Sequence, residues 1–345
     1  MAEGRLNITV LTAEDSLKVF RMTQERIDAA LERFPEFKDK VNISITRTST
    51  SFENDPSWNA EDYVKFRKGV ADADIMIGYM FPLEEVKAAA PRLKWIHIIG
   101  AGVEHLLPLD WLPEDAVLTN NRGAHAPKSR EYVMMALLML ANHMPRLMRA
   151  QQKHLWDGHF VSVIKGATVA ILGAGHQGAA AASAAKSLGL RTIGVDIDTS
   201  PRENFDELVH VSKLHDALGR ADYVVVTLPS TDETYRMIDD GAFAAMKEGC
   251  GFVNISRGRI VDTGALIRNL NNGRLSGAVL DVFEQEPLPA DSPLWDAPNL
   301  VMSPHMGCDD EDNYIHRTFD IFFGNLRRFM AGEKLENVVD RVKGY

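Results

Sequence analysis

The chain has 345 residues, of which 45% are hydrophobic and 25% are charged, and its formal net charge is −10. This length exceeds what one hydrophobic core usually organises, and it predicts two domains. The composition argues against disordered and fibrous proteins. The acidic balance argues against broad contact with nucleic acid or with anionic membranes.

The first third of the chain alternates apolar runs with segments of helical length. The apolar runs predict five strands, at residues 7–11, 41–45, 73–80, 93–100 and 116–120. Helices are predicted between these strands, as at 15–33 and 60–71. Such alternation is typical of a parallel sheet with helices on both faces.

A long helix is predicted to follow Pro127, over residues 131–152. Its apolar positions, several of them methionine, are too dense for a helix that lies on the surface. We expect this segment to belong to the core or to a subunit interface.

A second alternating block begins at Ala167. Its apolar runs predict six strands, at residues 168–172, 191–196, 222–229, 251–256, 277–283 and 300–304. Helices are predicted at 177–187 and 263–272, and an amphipathic closing helix at about 311–331 is expected to end at Gly332. Two successive α/β blocks predict two similarly built domains.

Several classes of segment and site have no signal in the sequence. The amino terminus lacks the features of a signal peptide, and no apolar run approaches the roughly 20 residues of a membrane span. The two cysteines, Cys250 and Cys308, form neither a disulfide framework nor a metal-binding pattern. We expect a reduced, cytoplasmic protein with no metal and no membrane contact.

A glycine-rich pattern follows the predicted strand at 168–172. Residues 173–178, GAGHQG, fit the spacing G-x-G-x-x-G and lie directly before a predicted helix. Gly173 permits a tight turn, Gly175 lets the backbone approach a pyrophosphate, and Gly178 allows the helix to pack closely on the strand. The start of the helix offers free N–H groups to the phosphates. The pattern predicts a dinucleotide site.

The residue that would bind the adenosine ribose is Asp196, which stands 18 residues after Gly178 at the end of a predicted strand. A carboxylate at this place accepts hydrogen bonds from the ribose hydroxyls and repels a 2′-phosphate, so it favours NAD over NADP. Arg191 and Arg202 are near enough in sequence to weaken that repulsion. The expected cofactor is NAD, with NADP as the alternative.

Three charged residues, Arg257, Glu286 and His305, each follow a separate predicted strand of the second block. Ligands of parallel sheets bind beyond the carboxyl ends of the strands, so we expect these side chains to converge at one edge. The arginine can fork onto the carboxylate and carbonyl oxygen of a 2-oxo acid, and the histidine can donate a proton. The glutamate can orient the imidazole and favour its protonated form. The combination predicts a dehydrogenase.

These motifs resemble those of the D-isomer-specific 2-hydroxyacid dehydrogenases, a family that includes glyoxylate, hydroxypyruvate, D-lactate and phosphoglycerate dehydrogenases. The resemblance covers almost the whole chain and is densest over residues 166–307. It rests on five ordered segments, GATVAILGAGHQG, ADYVVVTLPSTDET, NISRGRIVDTGAL, SGAVLDVFEQEPLP and NLVMSPHMG. It implies an NAD(P)-dependent enzyme that interconverts a small 2-oxo acid and its D-2-hydroxy acid.

The resemblance also implies roles for individual residues. The family's substrate-binding arginine falls on Arg257, and its glutamate and acid–base histidine fall on Glu286 and His305. Its nicotinamide-contacting aspartate falls on Asp281. Further cofactor contacts are implied at His176, Gln177, Leu228, Ile255, Ser256 and Gly307. The family's substrate-facing loop resembles GAGVEHL, which implies that backbone amides of Ala101 and Gly102 bind the substrate carboxylate.

The architecture implied by the resemblance is a pair of doubly wound parallel-sheet domains. A Rossmann nucleotide domain at 122–305 would be inserted into a flavodoxin-like substrate domain, formed by residues 1–121 and 306–345. Members of the family usually form homodimers through the nucleotide domain, which makes the Met-rich segment 133–148 a candidate interface.

Two alternative functions stay open at this stage. One is an NAD-sensing binding protein, like the transcriptional corepressors built on the same fold. The other is phosphite oxidation by a dehydrogenase of this fold. Formate dehydrogenases resemble the motif set but pair the histidine with glutamine, so Glu286 favours a 2-oxo acid reductase.

Overall fold

The computed structural model describes residues 4–50 and 58–344, and its chain divides into two compact units. We call the first the split unit, because it consists of Met1–Ala124 and Asp310–Tyr345. The second is the continuous unit, His125–Asp309. Within the described residues, no helix is long and apolar enough to cross a membrane.

The sequence-based boundaries, after residues 121 and 305, fall three and four residues before the observed ones. Two sets of contacts account for the difference. Ala124 is buried in the core of the split unit, which extends that unit past residue 121. Met306 and Gly307 donate backbone N–H groups to the carboxylate of Asp281, which keeps both residues in the continuous unit.

The split unit contains a five-stranded parallel sheet in the order β2-β1-β3-β4-β5. Its strands are β1 Leu6–Ala13, β2 Val41–Thr48, β3 Ile75–Gly78, β4 Trp95–Ile98 and β5 Val117–Thr119. Its first helices are α1 Gln24–Arg33, α2 Ala60–Val70 and α3 Val86–Ala89. This strand order is that of flavodoxin-like sheets, as predicted.

The continuous unit contains a seven-stranded parallel sheet in the order β12-β11-β10-β9-β6-β7-β8. Its strands are β6 Thr168–Leu172, β7 Arg191–Asp196, β8 Glu207–His210, β9 Tyr223–Val226, β10 Cys250–Asn254, β11 Leu275–Leu280 and β12 Leu300–Met302. Its helices are α4 Ala126–Ala141, α5 Met144–Gln152, α6 His176–Ser187, α7 Leu214–Arg220, α8 Asp240–Ala245 and α9 Thr263–Asn271. Six of the strands follow the Rossmann order, in which the connections change direction between β6 and β9.

The closing helix α10, Tyr314–Ala331, belongs to the split unit because of its aromatic face. Phe319, Phe322 and Phe323 are buried in the same core as β1 and β4, and the ring of Phe322 stacks on Trp95 at 4.9 Å. The helix ends at Gly332, whose φ of 72° suits glycine. The carboxyl-terminal segment is therefore part of the core that the amino-terminal strands begin.

The single helix predicted for residues 131–152 is wrong. Two helices, α4 and α5, meet at His143, which adopts a left-handed φ of 49°. Pro145 explains the break, because it lacks the N–H that a continuing helix needs and its ring would collide with the preceding turn. The predicted helix 15–33 is also too long, since α1 begins after Thr23, whose hydroxyl accepts the N–H of Arg26.

Both sheets confirm the predicted α/β class, and the parallel arrangement determines where functional groups gather. The carboxyl ends of all seven strands of the continuous unit lie at one edge of its sheet. The segments that follow β6, β9, β10, β11 and β12 therefore meet there, and these segments carry the residues described next.

Candidate active site

The glycine-rich turn after β6 leaves room for a phosphate group. Gly173 has a φ of 94°, which favours glycine. A Cβ on Gly178 would come within 2.0 Å of the carbonyl oxygen of Gly173, so only glycine lets α6 approach the turn. A Cβ on Gly175 would meet no atom within 4 Å, so there is open space beside the residue that directly precedes α6. The turn thus fits the pyrophosphate of a dinucleotide.

Asp196, at the end of β7, is tied to this turn. Its Oδ2 accepts the N–H of Ala174 at 2.7 Å, and it pairs with Nη1 of Arg202 at 3.2 Å. Arg202 also donates to the carbonyl of Ala174 and to Asp198. Arg202 is therefore the cation that offsets the charge of Asp196. Arg191 is not, because it lies at the start of β7 and hence at the opposite edge of the sheet.

Leu228, Ile255 and Ser256 follow the two neighbouring strands, β9 and β10. The Thr227 hydroxyl donates to the carbonyl of Gly173 at 2.8 Å, which brings Leu228 beside the glycine-rich turn. Ile255 and Ser256 are buried, at 4% and 6% exposure. These residues lie at the same edge as the turn. Gln177, in the first turn of α6, has a buried Oε1 that accepts no hydrogen bond from the described residues.

The turn that carries Arg257 is held by Asn254, the last residue of β10. The Asn254 amide donates to the carbonyl of Arg257 at 3.0 Å, and its oxygen accepts the N–H and the hydroxyl of Ser256. Gly258 comes next, and a Cβ there would stand 1.8 Å from the carbonyl carbon of Phe283. The backbone beside Arg257 therefore packs directly on the loop that leads to Glu286.

Glu286 and His305 form a hydrogen-bonded pair. Nδ1 of His305 lies 2.6 Å from Oε2 of Glu286, while Oε1 of the glutamate accepts the N–H of Phe283 at 2.8 Å. The hydrogen bond to Glu286 raises the pKa of His305, although burial opposes the shift. Burial disfavours ionisation of Glu286, but the bonds from His305 and Phe283 outweigh it and lower the pKa of the glutamate.

Arg257 acts on this pair through its charge. It lowers the pKa of both Glu286 and His305, which is the effect of a nearby cation on each group. Arg257 also donates Nη1–H to the carbonyl of Ser256 at 2.8 Å. The structure therefore brings the three residues together at one edge of one unit.

Asp281 is 2% exposed and sits directly beneath the loop of His305. Its Oδ1 accepts the hydroxyl of Ser303 at 2.6 Å and the N–H of Gly307 at 2.9 Å. Burial raises the pKa of Asp281 against the effect of these bonds. The carboxylate therefore braces the loop, in addition to the cofactor contact that the resemblance implies.

Ala101 and Gly102 lie in the split unit, in the loop that follows β4. The amide of Asn120 donates to the carbonyl of Ala101 at 2.7 Å, and the N–H of Asn121 donates to the carbonyl of Gly100 at 2.9 Å. The Tyr314 hydroxyl donates to the carbonyl of Ile99. Hydrogen bonds from the segment after β5 and from α10 thus fix the path of this loop.

Four residues that shape the site, Asn254, Gly258, Ser303 and Tyr132, were not predicted from the sequence. Asn254, Gly258 and Ser303 flank the singled-out residues, so their place in the motifs was the available signal. Tyr132 had none, because its hydroxyl meets Ser303 across 171 residues of sequence. Among residues 4–50 and 58–344 there is no cluster of three or more side chains able to hold a metal ion.

The comparisons with known proteins point to one family. The family model described as D-isomer specific 2-hydroxyacid dehydrogenase, NAD binding domain, matches residues 134–307. A glyoxylate reductase from Korarchaeum cryptofilum is 30% identical over 282 residues, which are 79% of this chain and 84% of the relative.

Solved structures give the same result. A D-isomer specific 2-hydroxyacid dehydrogenase from Xanthobacter autotrophicus, in complex with NADPH and MES, matches with a TM-score of 0.81 and 27% identity over 100% of both chains. An NADPH-dependent glyoxylate/hydroxypyruvate reductase from Sinorhizobium meliloti, in complex with NADP and sulfate, has a TM-score of 0.77 and 27% identity, covering 98% of this chain and 100% of its own. The chain therefore belongs to the family of D-isomer specific 2-hydroxyacid dehydrogenases, which are NAD(P)-dependent oxidoreductases.

Proposed function

We propose that this protein interconverts a small 2-oxo acid and its D-2-hydroxy acid, with Arg257, Glu286 and His305 as the catalytic residues. The observation that carries the proposal is the 2.6 Å contact between Glu286 and His305 at the edge that also carries the glycine-rich turn. A binding protein that only senses a dinucleotide has no need of a histidine whose pKa is raised by a carboxylate.

Each of the three side chains has a distinct part. The guanidinium of Arg257 binds the substrate carboxylate and polarises the carbonyl oxygen through two aligned donors. His305 donates a proton to the carbonyl oxygen during reduction and takes it back during oxidation. Glu286 holds Nδ1 of the imidazole, so Nε2 is the nitrogen that exchanges the proton. The bound nicotinamide cofactor supplies or accepts the hydride.

A panel of substrates tests the proposal directly. Glyoxylate, hydroxypyruvate and larger 2-oxo acids are assayed with NADH and with NADPH, and phosphite is assayed with NAD⁺ and NADP⁺. Turnover of a 2-oxo acid supports the proposal. Oxidation of phosphite alone favours the phosphite dehydrogenase alternative, and tight dinucleotide binding with no turnover favours the sensor.

The first prediction concerns Arg257. Replacing it with lysine should lower kcat/KM for the 2-oxo acid by roughly 10²-fold, because a point charge cannot reproduce two aligned donors. Cofactor affinity, measured by quenching of protein fluorescence, should change little. Arg259→Lys is the matched control, since the Arg259 guanidinium lies over the ring of Tyr235, 5.2 Å from its centroid. Equal activities of the two variants would remove Arg257 from the mechanism.

The second prediction concerns pH. Reduction needs the imidazolium of His305, so its kcat/KM should fall as pH rises through the raised pKa, and oxidation should rise over the same range. Glu286→Gln removes the charge that raises this pKa, so the reduction limb should move to lower pH. Glu284→Gln is the control, because Glu284 pairs with Arg236. The glutamate would not tune the histidine if wild type and Glu286→Gln gave coincident pH profiles.

The third prediction concerns the cofactor. We propose that NAD(H) is preferred and that NADP(H) is also used, because Arg202 can offset the repulsion between Asp196 and a 2′-phosphate. Arg202→Ala should lower the NADPH/NADH ratio of kcat/KM by roughly tenfold, the value of one lost charge-assisted contact. Asp196→Ala should raise the same ratio. Arg191→Ala, at the opposite edge of the sheet, should leave the NADPH/NADH ratio unchanged. A fall of the ratio in Arg191→Ala would mean that Arg191, and not Arg202, offsets the repulsion of the 2′-phosphate.

The fourth prediction concerns assembly. We propose a homodimer formed through α4, α5 and the segment that follows them, because exposed apolar side chains concentrate there. They are Met135, Leu138, Met144, Met148, Leu155, Trp156, Phe160, Val161 and Val163, and Trp156 and Phe160 are fully exposed. Apolar surface of this extent marks an interaction site. In sedimentation experiments, Trp156→Ser with Phe160→Ser should weaken the dimer, while the exposed-site control Val342→Ser should not. A monomeric wild type at micromolar concentration would contradict the proposal.

A further inference from the structure

A chain of three hydrogen-bonding side chains leads from helix α4 to the loop of the proposed proton donor. The oxygens of Tyr132 and Ser303 are 2.6 Å apart, and the Ser303 oxygen is 2.6 Å from Oδ1 of Asp281. Serine has one hydroxyl proton, which it donates to the carboxylate. Tyr132 is therefore the donor to Ser303, and all the bonds point toward Asp281.

Asp281 is in turn hydrogen-bonded to the backbone around His305. Its carboxylate accepts the N–H of Met306 at 3.1 Å and that of Gly307 at 2.9 and 3.1 Å. Its own carbonyl accepts the N–H of His305 at 2.8 Å. Three consecutive backbone amides are thus held by one residue.

His305 needs this support because of its backbone conformation. Its φ is 49°, in the left-handed region that residues with a side chain rarely adopt. Such a conformation is retained only where the surrounding structure imposes it. This conformation accompanies the 2.6 Å contact between the imidazole and Glu286.

Tyr132 and Asp281 are buried, and the Tyr132 ring packs closely against the His305 loop. Tyr132 and Asp281 are 7% and 2% exposed. Burial also raises the pKa of Tyr132 to about 12, so its hydroxyl keeps its proton in the neutral range. A Cβ on Gly307 would lie 2.3 Å from the tyrosine ring, so the ring lies directly against the backbone that Asp281 holds.

We propose that Tyr132 and Ser303 are positioning residues, which keep the Asp281 carboxylate bound to the His305 loop and thereby hold the imidazole against Glu286. This inference rests on the proposed function, because it concerns the residue that donates the proton. Neither side chain needs to touch the substrate or the cofactor. Both act through Asp281.

The charged groups around His305 set the direction of the expected effect. Glu286 raises the pKa of the imidazole through a hydrogen bond and its charge, Asp281 raises it through charge, and Arg257 lowers it. Without the Ser303 hydroxyl, Asp281 would lose a hydrogen bond that favours its charged form. The Asp281 carboxylate would then hold the backbone N–H groups of the His305 loop less firmly. Both changes lower the pKa of His305.

The experiment follows the NMR titration of the His305 imidazole in the protein without cofactor or substrate, with the signal assigned by its loss in His305→Ala. In Ser303→Ala the midpoint should fall by roughly half a pH unit, the equivalent of part of one net hydrogen bond. Tyr132→Phe should move it less in the same direction. Ser303→Thr, which restores the hydroxyl, should return it toward the wild-type value.

The matched control is Tyr223→Phe, because Tyr223 is half-buried on β9 and its hydroxyl is outside this chain of bonds. Kinetics give a second measurement: kcat for reduction should fall several-fold at a pH above the midpoint, with little change in KM for the 2-oxo acid. Two results would distinguish this role from a general loss of folding in Ser303→Ala. Ser303→Thr should restore the midpoint, and Tyr132→Phe should shift the midpoint while it remains folded.

Titration curves of Ser303→Ala and Tyr132→Phe that coincide with wild type would overturn the inference. Should Ser303→Ala fail to fold, the Tyr132→Phe curve decides the question alone. The result is independent of the proposed reaction, since the titration is measured without turnover. If the wild type reduces no 2-oxo acid, the proposed function fails. The positioning role of Tyr132 and Ser303 is still tested, because it is measured by the midpoint of the His305 titration.

Discussion

The site depends on one constraint, the parallel direction of the strands in the continuous unit. Parallel strands place all their carboxyl ends at one edge, so groups from β6, β9, β10, β11 and β12 meet although they are up to 132 residues apart, from Gly173 to His305. The segments after these strands carry the glycine-rich turn, Arg257, Asp281 with Glu286, and His305, to which the proposed function assigns phosphate binding, anion binding and proton transfer. The direction of the strands therefore determines which segments of the chain lie together at the site.

Electrostatics at this edge are balanced by groups that act in opposite directions. The hydrogen bond to Glu286 raises the pKa of His305, while burial and the charge of Arg257 lower it, and the net shift is upward. In the proposed reaction His305 releases a proton in one direction and recovers it in the other, so groups that shift its pKa affect both directions. Half of the histidine side chain is exposed, which limits each effect through screening by solvent.

The sequence predicted those features that depend on local pattern. The strand at 168–172, the glycine-rich turn and the end of the closing helix at Gly332 each have a signal within a few residues, and the structure has the strand and the helix end at those positions. The break at His143 also had a signal in Pro145, which the dense apolar pattern concealed. The short edge strand β8 was not predicted. Its sequence signal is weak, because only Val209 among its four residues is buried.

Other features depend on contacts between distant residues, and no local pattern encodes them. Arg191 and Arg202 look equivalent in sequence, yet only Arg202 reaches Asp196, because the two arginines stand at opposite ends of β7 and its following loop. The hydrogen bond between Tyr132 and Ser303 is of the same kind. Such pairings follow from the register of the sheet and the packing of α4 on it, which the sequence alone does not reveal.

The close approach at Gly258 has a consequence for how this site could change over evolution. At Gly258 no side chain separates the turn of Arg257 from the backbone of Phe283 and Glu284, because a Cβ there would overlap those main-chain atoms. A displacement of one loop is transmitted to the other without a compressible layer between them. The turn that carries Arg257 and the loop that leads to Glu286 are therefore expected to move together. A side chain at Gly258 would force the two loops apart, so we expect changes of substrate preference to arise from residues around these loops and not from Gly258.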